Sequence, residues 1–436
     1  MKGVFPTIRV SELVASGEVE LKTGPFGTQL KANEYVEHGT PVINVRNIGF
    51  GTIKPDKLEY ISPETRDRLS SHVLRCDDIV FGRKGAVERH VFIRKEQHGW
   101  FQGSDCLRLR LNSPRIHPQF ASYHFLSEDH QQWMKNQCGH AATMASLNQQ
   151  ILERIELPLP PLPVQRRIAG ILSAYDELIE NSQQRIRLLE DMARALYREW
   201  FVHFRFPGNE SVPHLPSALR DIPQGWECVT LGSMIKVTHG CAFQGIHFSE
   251  EPTSRVLATP GNFRVGGGIK YDKLKFYSEG GPLESDYIFE PMDLMVTMTD
   301  LSKAGDTLGF PAFVPKLEGL TFLHNQRIGR VLPVGEFFPK HYLYCLLCEE
   351  RYRHHIVGGA TGTAVKHTSP TRILSFPFAL PKDAKLIHAF ENFARPIFRQ
   401  INNLIEALEN LRRTRDLLLP RLLNGQITTI PNASPS

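Results

Sequence analysis

No stretch of this sequence approaches the ~18 consecutive apolar residues of a membrane span. The opening MKGVFPTIRVSELVASGEVE has no continuous apolar core of signal-peptide length, so it reads as mature sequence. The seven cysteines are an odd number, scattered over 436 residues without a disulfide-like framework. That usage fits a reducing, cytoplasmic setting. A one-signed charge block is missing too. The net charge is +5, and residues 1–160, 161–206, 207–380 and 381–436 carry only +2, +1, −1 and +3. Any contact with nucleic acid must therefore come from local patches, or share its electrostatic work with partner subunits.

Catalytic signatures are equally scarce. The chain has no Gly-Lys dipeptide and hence no Walker-type phosphate loop. Its one Pro-Pro, Pro160-Pro161, lies in LPLPPLP, so the Asn/Asp-Pro-Pro-aromatic box of amino-methyltransferases is absent. GxSxG, HExxH and Gly-rich dinucleotide fingerprints are absent as well. Cys345-Leu346-Leu347-Cys348 has a metal-like spacing, but it lacks the second separated pair of a structural zinc site and reads as an amphipathic helix face. No metal site is expected. Asp78 and Asp293 read as caps of the turns before their strands rather than as acid–base groups.

What the chain does contain is itself, twice, at an offset of roughly 215–222 residues. Gly24-Pro25-Phe26-Gly27 is answered by Gly240-Cys241-Ala242-Phe243. Asp56-Lys57-Leu58 is answered by Asp272-Lys273-Leu274, and Asp78-Ile79-Val80-Phe81 by Asp293-Leu294-Met295-Val296. Short helices follow (Gln119–Lys135, Lys340–Arg353), and then Pro-containing segments, ELPLPPLP at 156–163 and SFPFALP at 375–381.

The repeat is strongest after those prolines. Ile168, Leu172, Tyr175, Ile179, Ser182, Ile186, Leu189, Ala193, Leu196 and Trp200 recur in steps of four and three. At a constant offset of 222 residues stand Phe390, Ala394, Ile397, Ile401, Leu404, Leu408, Leu411, Arg415, Leu418 and Leu422. A mean period of 3.5 is a coiled-coil seam, and a narrow apolar seam on a helix of ~50 Å needs a partner. The two helices, Val164–Phe201 and Phe390–Leu422, are therefore expected to pair. The pairing residues are Ile168, Leu172, Ile179, Ile186, Leu189 and Leu196 against Ile397, Ile401, Leu404, Leu408, Leu411 and Leu418. Each run has one polar interruption, Ser182 and Arg415. Pro396 predicts a kink or a late start in the second helix. At roughly 100–200 residues per domain the length predicts two to four domains. The expected segments are a globular domain over 1–160, a helix over 161–206, a Pro/Gly/Ser-rich linker over 207–224, a second domain over 225–381, a helix over 382–427 and a tail over 428–436. The domains are expected to be α/β or α+β.

Residues 157–208, LPLPPLPVQRRIAGILSAYDELIENSQQRIRLLEDMARALYREWFVHFRFPG, resemble the central conserved region of the specificity subunits of Type I restriction–modification enzymes. Ile222-Pro223-Gln224-Gly225-Trp226 with Leu231-Gly232 resembles the opening of a target-recognition domain in that family. GGATGTAVKHTSP at 358–370 resembles its closing loop, and RDLLLPRLLNGQI at 415–427 its distal conserved region. The first domain departs from the pattern, opening at Val4-Phe5-Pro6, and the second Pro segment lacks the PPLPxQ run. The resemblance implies two target-recognition domains held apart by antiparallel helices, and no catalysis by the chain. It implies double-stranded DNA, two methyltransferase subunits and two translocase–nuclease subunits as partners, with S-adenosylmethionine, magnesium and ATP belonging to those partners. A bipartite DNA site is the expected target, and no membrane partner is expected.

Base reading favours Arg, Lys, Asn and Gln on exposed loops. The candidates for DNA contact are Arg46, Asn47, Arg83 and Lys84 in the first domain, and Asn262, Arg264, Lys303 and Lys366 in the second. A coiled-coil adaptor without DNA reading is the alternative, but it leaves the duplicated loop-rich domains unexplained. A self-contained methyltransferase or nuclease is disfavoured by the missing motifs.

Overall fold

A computed structural model of the chain describes residues 5–55, 57–138, 145–210, 212–217, 219–270 and 274–427. Asp56, Asp272 and Lys273 of the repeat, and the tail at 428–436, lie outside the described residues.

Two compact units emerge, and they cut across the helical segments rather than following the linear order. One comprises the residues up to 178 together with those from 411 onward, and the other residues 179–410. Each unit thus holds one globular domain and part of each long helix.

In the first unit the main sheet contains β1 (Val19–Thr23), β2 (Phe50–Gly51), β3 (Ile79–Gly82), β4 (His90–Phe92) and β5 (Cys106–Leu111), in the order β1-β5-β3-β4-β2. Helix α1 (Pro118–Phe125) follows, and α2 (Leu162–Tyr197) is the central long helix. In the second unit β6 (Ile235–His239), β7 (Leu294–Thr297), β9 (Pro311–Phe313) and β10 (Ile328–Pro333) form a sheet ordered β6-β10-β7-β9. Strand β8 (Thr299–Asp300) pairs with β11 (Lys366–His367); α3 spans Lys340–Leu347, and α4, the C-terminal long helix, spans Lys385–Leu423. The repeat is visible in the pairing itself. Val80 opposes Arg108 in the first unit, and Met295 opposes Arg330 in the second.

Each domain also ties its own ends together. Thr7–Arg9 pairs antiparallel with Glu156–Pro158, and Trp226–Thr230 pairs in the same sense with Pro377–Pro381. The Pro-containing segments are therefore edge strands, where a missing N–H is tolerated. Gly24 and Gly240 share a reason for being glycine. A Cβ would lie 2.0 Å from the Gly103 carbonyl oxygen in one domain and 2.1 Å from that of His324 in the other. The turn caps are shared too. Asp78 accepts the Arg75 N–H at 2.7 Å and Asp293 that of Glu290 at 3.0 Å. The expected short helices are each broken by a turn, giving Pro118–Phe125 with Glu128–Cys138, and Lys340–Leu347 with Glu350–Gly358.

The helices pack as opposed chains within each unit. In the first, Ile168, Ala169 and Leu172 near the start of α2 cluster with Leu418, Leu419, Leu422 and Leu423 at the end of α4, over Phe120 and Tyr123. In the second, Ile186, Ala193 and Tyr197 toward the end of α2, with Phe201 just beyond it, cluster with Phe390, Ala394, Ile397, Ile401 and Leu404 near the start of α4. Fully burying such side chains stabilises by roughly 1.5–3 kcal/mol each. That explains one correction. Pro396 does not delay α4, which begins at Lys385, eleven residues earlier. Proline in a helix interior costs about 3 kcal/mol. Pro396 is exposed, so solvent can take the orphaned carbonyl, while Ala394, Ile397 and Phe398 around it are buried. At the other boundary α2 ends as an α-helix at Tyr197 and continues as a wider π-type turn over Arg198–Val202.

Each long helix is pinned to its own domain by one buried polar side chain. Gln165 on α2 accepts the His117 N–H at 2.8 Å and donates to the carbonyls of Arg115 and Pro160. Glu391 on α4 accepts the N–H groups of His341 and Tyr342 at 2.9 and 2.8 Å, capping α3.

Candidate nucleic-acid interface

Arg46 and Asn47 sit in a tight turn after the strand Thr40–Ile43. Their side chains have opposite fates. Arg46 is exposed and lies 2.5 Å from Glu59. Asn47 is fully buried, its carbonyl oxygen accepting the Asn44 N–H at 3.1 Å and its amide donating to the Lys54 carbonyl at 3.0 Å. Asn262 repeats this placement. It is 1 % exposed and accepts both the N–H and the hydroxyl of Thr259 at 2.8 Å. Both asparagines therefore brace turns, which corrects their reading as base contacts: the backbone claims the polar atoms a base edge would need.

Arg264 also turns inward. Its guanidinium pairs with Glu190 on α2, whose carboxylate also lies 3.5 Å from Arg194. Arg194 reaches the Tyr344 hydroxyl at 3.3 Å. Burial pushes the Glu190 carboxyl up, and the two arginines oppose that shift. Arg264 thus docks its domain on the central helix, and the expectation of a DNA-facing Arg264 is corrected. A sequence separation of 74 residues left no local signal of this contact.

The remaining candidates occupy one kind of place in both domains. After β3 the chain runs through Arg83-Lys84-Gly85, and the segment before the short helix Gln149–Glu153 pins that loop. Gly85 donates to the Ala145 carbonyl at 3.1 Å, and Leu147 donates to that of Arg83 at 2.8 Å. Lys84 is exposed, with its ammonium 3.3 Å from Asp105; Arg83 is half-buried. After β7 the chain enters β8, where Thr299 opposes His367 and Asp300 opposes Lys366. Lys303 is exposed on the following loop. Lys366 is half-buried, and a Cβ on Gly305 would lie 3.6 Å from its stem. The structure therefore gathers Lys303 and Lys366 around one loop.

That loop is held rigidly. Asp300 accepts the Ser302 N–H at 2.6 Å, and both the N–H and the hydroxyl of Thr307. Burial works against its charge, but these donors prevail and hold the carboxyl below the usual range. From the other side Arg353 donates to the carbonyls of Leu308 and Gly305, its guanidinium 4.9 Å from the Phe310 ring centroid. The closing loop folds back at Gly362, where φ is +89° and a Cβ would meet the Val365 carbonyl oxygen at 2.0 Å. Sequence reasoning misses Asp300 and Arg353; as single charged residues at a strand end and on a helix they carry no pattern.

All twelve expected helix-pairing residues are placed. Ile168, Leu172, Ile179, Ile186, Ile397, Ile401, Leu404 and Leu408 are buried. Leu189, Leu196, Leu411 and Leu418 are half-buried. Cys345 lies in the core of the second unit, and burial pushes the Cys348 thiol up to about 12, which disfavours the thiolates a metal would need. Among the described residues no helix is long and apolar enough to cross a membrane.

Comparison with known proteins places this geometry. Residues 27–191 match the family described as the Type I restriction modification DNA specificity domain. The chain is 26% identical over 321 residues to the Type I restriction enzyme MjaIX specificity subunit of Methanocaldococcus jannaschii, covering 71% of this chain and 69% of that protein. It is 21% identical over 395 residues to the HindI specificity subunit of Haemophilus influenzae, covering 78% of this chain and 84% of that protein. In fold it is similar to the crystal structure of the Type I restriction–modification system S subunit from M. genitalium, with a TM-score of 0.56, 15% identity and coverage of 97% and 96% of the two chains. Residues 27–191 thus match a Type I restriction modification DNA specificity domain, and the chain is similar over most of its length to the specificity subunits of Type I restriction enzymes.

Proposed function

We propose that this chain reads a bipartite DNA sequence, one half-site with each globular domain, and directs adenine methylation and restriction by partner subunits. A specificity subunit is itself non-catalytic. The observation that carries the reading is the duplicated loop. In each domain an inner strand of the sheet runs into a loop that carries an exposed lysine and is clamped by the segment before a short helix, Gln149–Glu153 in one domain and Pro370–Leu374 in the other. Exposed Lys84, and Lys303 beside Lys366, are placed to meet phosphates or base edges, while the buried asparagines hold neighbouring turns. Phosphate contacts position a protein on the duplex and base contacts specify sequence, so a few pre-arranged side chains per domain suffice when partners share the backbone contacts.

The partners in this reading are two methyltransferase and two translocase–nuclease subunits, which would hold S-adenosylmethionine, magnesium and ATP. Exposed apolar residues on the long helices support a protein-binding role there: Leu188 and Met192 one turn apart on α2, and Leu417 on α4. The setting would be cytoplasmic. The adaptor reading gains nothing from these loops, since an adaptor has no use for clamped, lysine-bearing loops. Methylome sequencing of cells that express the chain with its methyltransferase tests the proposal. A two-part methylated motif is expected, and unmodified DNA in cells with a working methyltransferase would refute it.

A further inference from the structure

We infer that two polar contacts, neither of them repeated in the other half of the chain, make the long helices choose each other and reject a second copy of themselves. The duplication creates the problem. Apolar seam positions on α2 and α4 are equivalent at a shift of 222, so an α2–α2 or α4–α4 pair between two chains would match seam to seam almost as well as the native pair. Something has to break that degeneracy.

The first breaking contact is Asp176–Arg415. Arg415 on α4 donates to Asp176 on α2 at 2.8 Å, and the Tyr123 hydroxyl donates to the other carboxylate oxygen at 2.6 Å. The shift of 222 carries Asp176 onto Phe398 and Arg415 onto Ala193. Both of these are buried in the apolar core of the second unit. The two equivalent places along the helix pair are thus charged in one unit and greasy in the other. An α2–α2 pair would set Asp176 against Ala193 at both ends. An α4–α4 pair would set Arg415 against Phe398 at both ends. In either arrangement Asp176 keeps only the Tyr123 hydroxyl and Arg415 only its neighbour Asp416, whereas the native pairing also joins the two charges to each other.

The second contact is Arg264–Glu190, in the other unit. The shift carries Glu190 onto Arg412. A second copy of α4 in the place of α2 would bring Arg412 to Arg264, replacing an ion pair by like charges. Arg415, which interrupts the apolar seam, is in this view the residue that sets partner choice, the role an isolated polar group plays in other helix pairs.

The test uses the full chain with a protease site placed in the linker at 207–213 and cut after folding. The halves are then allowed to re-pair from mild urea, and dimers are counted by native mass spectrometry. The parent should return to unlike pairs alone. Asp176→Leu with Arg415→Leu and Arg412→Glu removes both barriers. Like pairs of each half should then rise toward about a quarter of all dimers, the value for pairing without preference. The charge swap Asp176→Arg with Arg415→Asp should stay with unlike pairs, separating charge complementarity from mere packing. A statistical mixture from the parent, unlike pairs alone from the triple variant, or like pairs from the swap would each overturn the inference.

Discussion

Asn47 and Asn262, in separate domains, do the same work: each accepts the backbone N–H of the residue three positions earlier and holds the turn that follows a strand. Such a duplicated brace should behave as architecture. Asn47→Ala or Asn262→Ala leaves a partly buried backbone N–H without its side-chain acceptor, and each is expected to lower stability by about 1–3 kcal/mol. The bases read should not change. Urea unfolding beside methylation mapping checks this, and a changed motif at unchanged stability would return the asparagines to the DNA-reading set.

The loop lysines, exposed Lys303 and half-buried Lys366, should show the opposite profile. Lys303→Ala and Lys366→Ala are expected to leave stability within about 0.5 kcal/mol, as ordinary surface changes do. Each should weaken DNA binding by the assembled methyltransferase, and lower the slope of log affinity against log salt by about 1 for every phosphate left without its lysine. Arg264→Ala serves as the contrast. It removes one of two arginine partners from Glu190, which is 6 % exposed and keeps Arg194 at 3.5 Å, and should destabilise the second domain by roughly 1–3 kcal/mol. A salt titration of binding together with unfolding curves distinguishes the two classes.

These contrasts mark what is legible in the sequence. The helix pair is, because burial on a long helix repeats every 3.5 residues and the repeat is written twice. The turn caps at Asp78 and Asp293 are, because capping is local. Side-chain facing in the loops is not. Asn47 adjoins Arg46 in sequence, yet one is buried and the other exposed, because the turn geometry rather than residue type decides. Arg264 has the sequence character of a loop cation, and its partner Glu190 lies 74 residues away on a helix whose own pattern points elsewhere. The start of α4 is not legible either, because the local cost of proline carries no trace of the buried neighbours that outweigh it.

Stability should fall in mild acid, and the first domain should fall first. His90 is completely buried, within 2.8 Å of the Ser122 hydroxyl, and burial pushes its pKa down to about 3. His130 nearby is pushed down as well, by burial and then by His124 and His90. Both imidazoles are neutral in the fold but charge in the unfolded chain near 6.5. Below that value the unfolded state takes up more protons, so stability present at pH 7 is lost as pH falls from about 6.5 toward 3. Each buried histidine contributes up to about 1.4 kcal/mol per pH unit in that window. His90→Gln should flatten the dependence measured by urea midpoints between pH 7 and 5. An unchanged slope would mean that His90 titrates normally in the folded protein.

If the long helices set the distance between half-sites, length and sequence should be separable. Exchanging residues 1–150 for the matching block of another family member should change one half-site and leave the other, and the spacer, as they were. Lengthening the helices should do the reverse. Because α2 and α4 run in opposite directions in each unit, four residues inserted after Ser182 need four more after Leu408. Four residues are close to one helical turn, so the buried positions Ile179, Ile186, Leu404 and Leu408 keep their facing. The insertion adds about 6 Å of helix, nearly two base-pair rises at ~3.4 Å each. The expected result is a spacer longer by about two base pairs with both half-sites retained, read by methylation mapping. An insertion in α2 alone should instead weaken assembly, because Asp176 and Arg415 fix the register of α2 against α4 in the first unit, and Glu190 and Arg264 fix that of α2 against the second domain. A block exchange that altered both half-sites, or paired insertions that changed the bases read while leaving their separation unchanged, would show that recognition and spacing do not reside in separate parts of the chain.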